Sequence, residues 1–90
     1  VSILRPYRDY NAALALMAAD YTYSSWDILQ DLPDDDAGVC YLKAVVLARL
    51  DQIDEALKYF EMCIGYDPYM EHRANLDPEM HVLLEKRKPF

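Results

Sequence analysis

The amino-acid sequence repeats itself at a constant offset of 31 residues, and this duplication constrains the fold more than any other feature. Small residues align with small residues, and large apolar residues align with large apolar ones. The matched positions include Ala13 and Ala44, Leu14 and Val45, Leu16 and Leu47, Asp20 and Asp51, Ser25 and Ala56, and Leu29 and Phe60. A period of this length is typical of supersecondary units that stack and bury their apolar faces against one another.

Each copy of the repeat has the apolar spacing of two helices. In the second copy, apolar residues recur every three or four positions from Val39 to Leu50 and again from Ile53 to Ile64. Such spacing is the pattern of an amphipathic helix, and Asp36 is suited to be the N-cap of the first one. The spacing and the offset together predict four helices, at about 9–19, 22–32, 37–50 and 53–65.

The repeat stops after Pro68, and a different segment begins there. Asp77, Pro78 and Glu79 place a capping acid, a proline and a second acid in the order that begins a helix. Met80 and Leu83 then start the apolar stripe of this last helix, which we expect to cover the exposed face of the second repeat, as stacked repeats require.

These elements predict a single all-α domain over residues 1–90. Its parts are repeat 1 at about 9–33, repeat 2 at about 37–68 and a capping segment at about 69–88. Because the chain begins with Val1 and not with Met, we expect it to be part of a longer protein.

Charge and composition exclude several classes of function. The 9 Lys and Arg residues face 16 Asp and Glu residues, for a formal net charge of −7. Nucleic acids and anionic membrane surfaces are bound by clustered cations, so neither is an expected partner. Apolar residues make up 53% of the chain, which argues against disorder, and two glycines are too few for a hairpin-rich β fold. No apolar run approaches the length of a membrane span.

The second copy reads Cys40-x₂-Lys43-Ala44-x₂-Leu47, then Ala56-x₃-Phe60, and closes on Asp67-Pro68. This pattern resembles the tetratricopeptide repeat family, whose signature is aromatic-x₂-Leu-Gly-x₂-Tyr, then Ala-x₃-Phe, then Pro. The resemblance covers residues 9–68. Cys40 stands in place of the usual aromatic residue, and Lys43 in place of an apolar one. The resemblance implies a right-handed α-α superhelix of two helix-turn-helix repeats.

The same resemblance assigns roles to individual residues. Small side chains are expected where the paired helices cross, large ones beside them, and a proline where the repeat ends. These structural residues are Ala13, Ala44, Ala56, Phe60 and Pro68. The first helices of successive repeats would line a concave face that binds a peptide or a partner protein, and the residues on it are Tyr7, Tyr10, Leu14, Met17, Tyr41, Val45 and Arg49. The alternative for several of them is that they only complete the packing between helices.

A second resemblance concerns the compartment. Residues 71–79 are similar to the segment after the final repeat in some Gram-negative cell-envelope proteins. This similarity implies a bacterial protein of the periplasm or the cell envelope.

The sequence has no pattern that supports catalysis. We find no nucleophile motif, phosphate-binding loop or metal-ligand spacing, so we expect neither an enzyme nor a cofactor. Asp34, Asp35 and Asp36 lack the alternating ligand spacing of a calcium loop, and helix capping with solvated charge is the preferred interpretation.

Cys40 and Cys63 are the only cysteines, and both belong to the second repeat. In an antiparallel helix pair, the start of the first helix lies beside the end of the second, so the two sulfurs could be close. Two buried free thiols and a disulfide that pins the pair are both compatible with the sequence.

The sequence is compatible with two functions. The first is a non-enzymatic interaction module, or scaffold, that binds a peptide or a partner domain on its concave face. The second is a structural spacer or self-assembly domain within a longer cell-envelope protein. Members of the resembled family that clamp a terminal carboxylate use Lys and Asn on these helices, whereas Tyr41 and Val45 occupy those places here.

Overall fold

The computed structural model describes residues 10–87, and these residues form helices and turns without a strand. The prediction of an all-α fold is confirmed. Six α-helices are present in this part of the chain, and a short 3₁₀ helix lies between the last two. They are α1 (Tyr10–Ala18), α2 (Thr22–Leu29), α3 (Ala37–Arg49), α4 (Ile53–Tyr66), α5 (Tyr69–Asn75), the 3₁₀ helix (Pro78–Met80) and α6 (His81–Arg87).

The turn between α1 and α2 is repeated, bond for bond, between α3 and α4. The Tyr21 N–H donates to the Leu16 carbonyl at 2.8 Å, and 31 residues later the Gln52 N–H donates to the Leu47 carbonyl at 2.8 Å. Asp20 and Asp51 both take the left-handed conformation, with φ of 69° and 63°. Asp is one of the few residues other than glycine that adopt this conformation readily, so the aspartates end the first helix of each pair.

The small residues predicted for the contacts between paired helices are buried. Ala13, Ala44 and Ala56 are completely buried, and so is Ser25, which aligns with Ala56. The Ser25 hydroxyl donates to the Ala13 carbonyl at 2.9 Å, so the one polar side chain at this contact is satisfied. Large apolar side chains fill the space around these contacts, among them the fully buried Leu29 and Phe60.

The connection from α2 to α3 is held by charge. The Asp36 carboxylate accepts from the Val39 N–H at 3.1 Å, which confirms Asp36 as the N-cap of α3. Lys43 is only 2% exposed, yet its ammonium donates to the Leu32 carbonyl at 2.8 Å and pairs with Asp34. Its Nζ also lies 5.2 Å from the centre of the Tyr59 ring. The positive charge beside Asp34, Asp35 and Asp36 is therefore the Lys43 ammonium.

The segment after Pro68 holds one more helix than the sequence predicts. α4 ends at Tyr66, and Pro68 directly precedes α5, a helix that buries only Met70 and Ala74. Two buried residues in seven are too weak a signal for periodicity to detect. Beyond it, Asp77 caps the predicted last helix by accepting from the Glu79 N–H at 3.0 Å. That helix opens as the 3₁₀ turn and continues as α6.

The capping segment packs on the second repeat. Met80 and Leu83 are completely buried, and they belong to the same apolar core as Phe60 and Cys63 of α4. The capping segment consists of α5, the 3₁₀ helix and α6, and it forms a third helical layer after the layers of α1 with α2 and of α3 with α4. Within residues 10–87, no helix combines the length and the apolar character that crossing a membrane requires.

Exchanging alanine for leucine tests the close contact between helices. Ala13→Leu adds three carbons at a fully buried site, so we expect it to lower the free energy of unfolding by about 1–3 kcal/mol. Ala15→Leu lies on the exposed side of the same helix, and we expect it to change stability by less than about 0.5 kcal/mol. Urea unfolding of the two variants gives the comparison. Equal stabilities would contradict the contact.

Candidate interaction groove

A groove lies between α1, α3 and the capping segment, and we call it the α1–α3 groove. It has a volume of about 280 Å³. Its lining combines apolar and charged side chains from three parts of the chain: Tyr10, Leu14, Met17, Ala18, Tyr41, Leu42, Val45, Arg49, Arg73, Asp77 and Glu79. Six of the seven residues predicted for the concave face are among them. The seventh, Tyr7, lies outside the described residues.

These six residues differ in what they offer to a ligand. Met17, Tyr41 and Val45 are buried and belong to the apolar core, so they form the floor of the groove. Leu14 is 41% exposed, and Tyr10 is partly exposed. A large part of the predicted face thus completes the packing between helices, and Leu14 and Tyr10 are the apolar side chains that a ligand can reach.

Tyr41 is fixed on two sides by the capping segment. Its hydroxyl donates to the Asp77 carboxylate at 2.8 Å, and the Arg73 guanidinium lies 4.9 Å from the centre of its ring. Burial is the main cause that raises the pKa of Tyr41, and the hydrogen bond to the Asp77 carboxylate raises it further. The phenol is therefore held neutral, as a donor, at the base of the groove.

Arg49 joins three separate parts of the chain at one end of the groove. Its Nε and Nη2 donate to the two carboxylate oxygens of Glu79, with 2.9 Å between Nη2 and Oε2. Its Nη1 lies 3.4 Å from both the Asp20 carboxylate and the Met17 carbonyl. The hydrogen bond to Glu79 is the main cause that raises the pKa of the guanidinium. Because a two-bond pair of this kind fixes the direction of both groups, Arg49 holds the capping segment in place.

Sequence reasoning missed the contribution of the capping segment to the groove. Arg73, Asp77 and Glu79 lie 28 or more residues from Val45 in sequence, and no periodic pattern connects them to α3. The sequence pattern at Asp77 and Glu79 predicted the start of a helix and gave no indication of the groove. Asp77 serves both purposes, since it accepts from a backbone N–H with one oxygen and from Tyr41 with the other.

Cys40 and Cys63 are both buried and are free thiols in this structure. The Cys40 thiol donates to the Asp34 carbonyl at 3.6 Å. Burial is the main cause that raises the pKa of each thiol, and for Cys63 the neighbouring Cys40 raises it further. Of the two alternatives that the sequence leaves open, the structure has the buried free thiols.

The chemical groups at the groove are apolar and charged side chains. Within residues 10–87, no three His, Cys, Asp or Glu side chains come together in a way that could hold a metal ion. The groove combines an apolar floor, the accessible apolar side chains of Tyr10, Leu14 and Ala18, and a charged rim.

Comparison of the chain with known protein families, curated proteins and solved structures finds no match.

Tyr41→Phe tests the link between the floor of the groove and the capping segment. The change removes one hydrogen bond to a carboxylate and leaves the ring in place, so we expect the free energy of unfolding to fall by about 1–3 kcal/mol. Tyr23→Phe is the matched control, because Tyr23 is largely exposed and should change stability by less than about 0.5 kcal/mol. Equal urea midpoints for the two variants would argue against the link.

The raised pKa of Cys63 predicts how stability depends on alkaline pH. Burial raises this pKa from 9.0 to about 11, so the folded state favours the neutral thiol. That stabilisation is complete below pH 9 and is lost as the pH rises toward about 11 in the native state, because the unfolded thiol ionises first. In the presence of a reductant, we expect the stability difference between wild type and Cys63→Ala to be constant below pH 9 and to shrink above it.

Met62→Ala provides the control for this pH series. It shortens a partly exposed side chain of the same helix and removes no titrating group. Its effect on the free energy of unfolding should therefore stay constant over the whole range. A Cys63→Ala effect that is equally constant would show that the thiol does not titrate in this range.

Proposed function

We propose that the chain is a tetratricopeptide-like helical repeat module that binds a peptide or a partner domain in the α1–α3 groove and has no catalytic role. The proposal includes a right-handed superhelical arrangement of the helix pairs, with α1 and α3 as the first helices of successive repeats. The identical hydrogen bonding of the two turns and the buried small residues at the helix contacts support it.

The observation that carries the binding function is the exposure of Leu14 over an apolar floor. A leucine that only filled the core would be buried, as Leu42 and Leu47 are, whereas 41% of Leu14 is exposed at the groove. Tyr10 also lines the groove and supplies both apolar area and a polar tip. Interfaces that recognise peptides and proteins are enriched in such amphipathic aromatic side chains.

Selection from a random peptide library on the immobilised chain, followed by fluorescence anisotropy of the enriched peptides, tests this function. We expect Leu14→Gln to weaken the binding of the enriched peptides at least tenfold, because it places an amide on the apolar groove. Met62→Gln is the matched control, since Met62 is 37% exposed, close to the exposure of Leu14, and does not line the groove. Enriched peptides that bind wild type and Leu14→Gln equally well would contradict the proposal.

The exposed apolar residues of the C-terminal half favour a second candidate, a structural element within a longer protein. Tyr66, Tyr69, Leu76 and Val82 are each about half exposed or more. In a stack of repeats, such side chains would be covered by a further unit, as in a spacer or assembly domain of a cell-envelope protein. Sedimentation distinguishes a self-assembly domain from a spacer within one chain. Only self-assembly requires the measured mass to increase with protein concentration.

A further inference from the structure

We propose that the partner of the α1–α3 groove is a basic peptide segment, which inserts one large apolar side chain between flanking Lys or Arg residues. This inference rests on the proposed function and names the chemistry of its ligand. It is drawn from the size of the groove, the charges on its rim and the charge of the whole chain.

The volume of the groove limits what can enter it. Pockets for small molecules span about 300–1,000 Å³, and the α1–α3 groove, at about 280 Å³, lies just below this range. It has room for one large side chain and not for a folded element. Its floor of Met17, Tyr41 and Val45 is apolar, so the inserted side chain is apolar as well.

The lining of the groove carries two carboxylates, those of Asp77 and Glu79, and two guanidinium groups, those of Arg49 and Arg73. Asp20 lies just outside this lining, 3.4 Å from Arg49 Nη1, and we count it with these four groups as the rim, which then carries three negative and two positive charges. Arg49 already donates to Glu79, to Asp20 and to a backbone carbonyl, and Arg73 lies on the ring of Tyr41. The Asp20 side chain is 93% exposed, so its carboxylate can also reach a cation of a ligand.

The net charge of the whole chain also favours a basic partner. With a formal net charge of −7, the chain attracts basic partners over distances longer than any contact. The same charge makes a second copy of the chain an unfavourable occupant, because two acidic molecules repel each other. A basic segment is the occupant that both the rim and the long-range field favour.

Three labelled synthetic peptides test the inference by fluorescence anisotropy. The first has Leu-Phe-Leu at its centre and two lysines on each side, the second replaces the lysines by glutamates, and the third replaces the centre by Ser-Gly-Ser. At low salt we expect the first to bind at least tenfold more tightly than either of the others. This preference over the glutamate peptide should shrink as salt shortens the Debye length from about 30 Å at 0.01 M to about 3 Å at 1 M.

Two substitutions at equivalent positions locate the effect. Asp20→Asn removes the carboxylate that lies beside Arg49 at the end of the groove, and Asp51→Asn removes the aspartate 31 residues later, in the turn between α3 and α4. Asparagine tolerates the left-handed backbone of both sites, so neither turn is strained. We expect Asp20→Asn to reduce the preference for the lysine peptide at least threefold, and Asp51→Asn to reduce it less. Equal reductions would overturn the role of the rim.

The remaining outcomes separate this inference from the function on which it rests. If the glutamate peptide binds as tightly as the lysine peptide, and Leu14→Gln weakens both, the groove binds peptides but its preference for a basic partner is overturned. If none of the peptides binds at about 1 mM, the groove is not a site for segments of this kind and the inference is overturned, whereas the proposed function is decided by the library selection.

Discussion

The structure depends on how closely its paired helices approach each other. Two helices can pack at the short end of the usual range of about 8–10 Å only where their facing side chains are small. Ala13, Ala44 and Ala56 are completely buried, as this requirement predicts, and the buried Ser25 hydroxyl joins α2 to α1 by bonding to the Ala13 carbonyl. Each turn between paired helices is short and contains a single left-handed aspartate.

Charged side chains join these layers to one another, and each is satisfied within the chain. Lys43 is surrounded by protein, and burying an ammonium without partners would be strongly unfavourable. The Asp34 carboxylate, the Leu32 carbonyl and the Tyr59 ring surround it. Arg49 makes a similar junction between the first turn, α3 and the capping segment. The ion pairs thus fix how successive units are placed, while apolar burial supplies most of the stabilisation.

The capping segment both completes the core and shapes the α1–α3 groove. Met80 and Leu83 cover the end of the second repeat, and Asp77 and Glu79 of the same segment form part of the rim. A ligand in the groove would therefore contact elements from both ends of the chain. This coupling gives the proposed binding site a fixed shape, because the cap cannot move without breaking the bonds to Tyr41 and Arg49.

Local sequence patterns were sufficient for the helices and for the residues at their contacts. Apolar spacing predicted α1 to α4 within a few residues, and the 31-residue offset predicted equivalent turns at Asp20 and Asp51. The short α5 was missed, because two buried residues in seven leave no periodic signal. Six residues predicted for the concave face line the groove.

What the amino-acid sequence determined by itself is the duplicated helix pair, since helical periodicity and the size of side chains act between neighbours along the chain. Only the tertiary structure decided which charges meet. Arg49 is 30 residues from Glu79, and Tyr41 is 36 residues from Asp77, so their pairing depends on how the layers stack. The same stacking decided that Leu14 is exposed while its aligned counterpart, Val45, is buried. Within the described residues, α3 packs against α1, α2, α4 and the 3₁₀ helix, whereas α1 packs against α2 and α3.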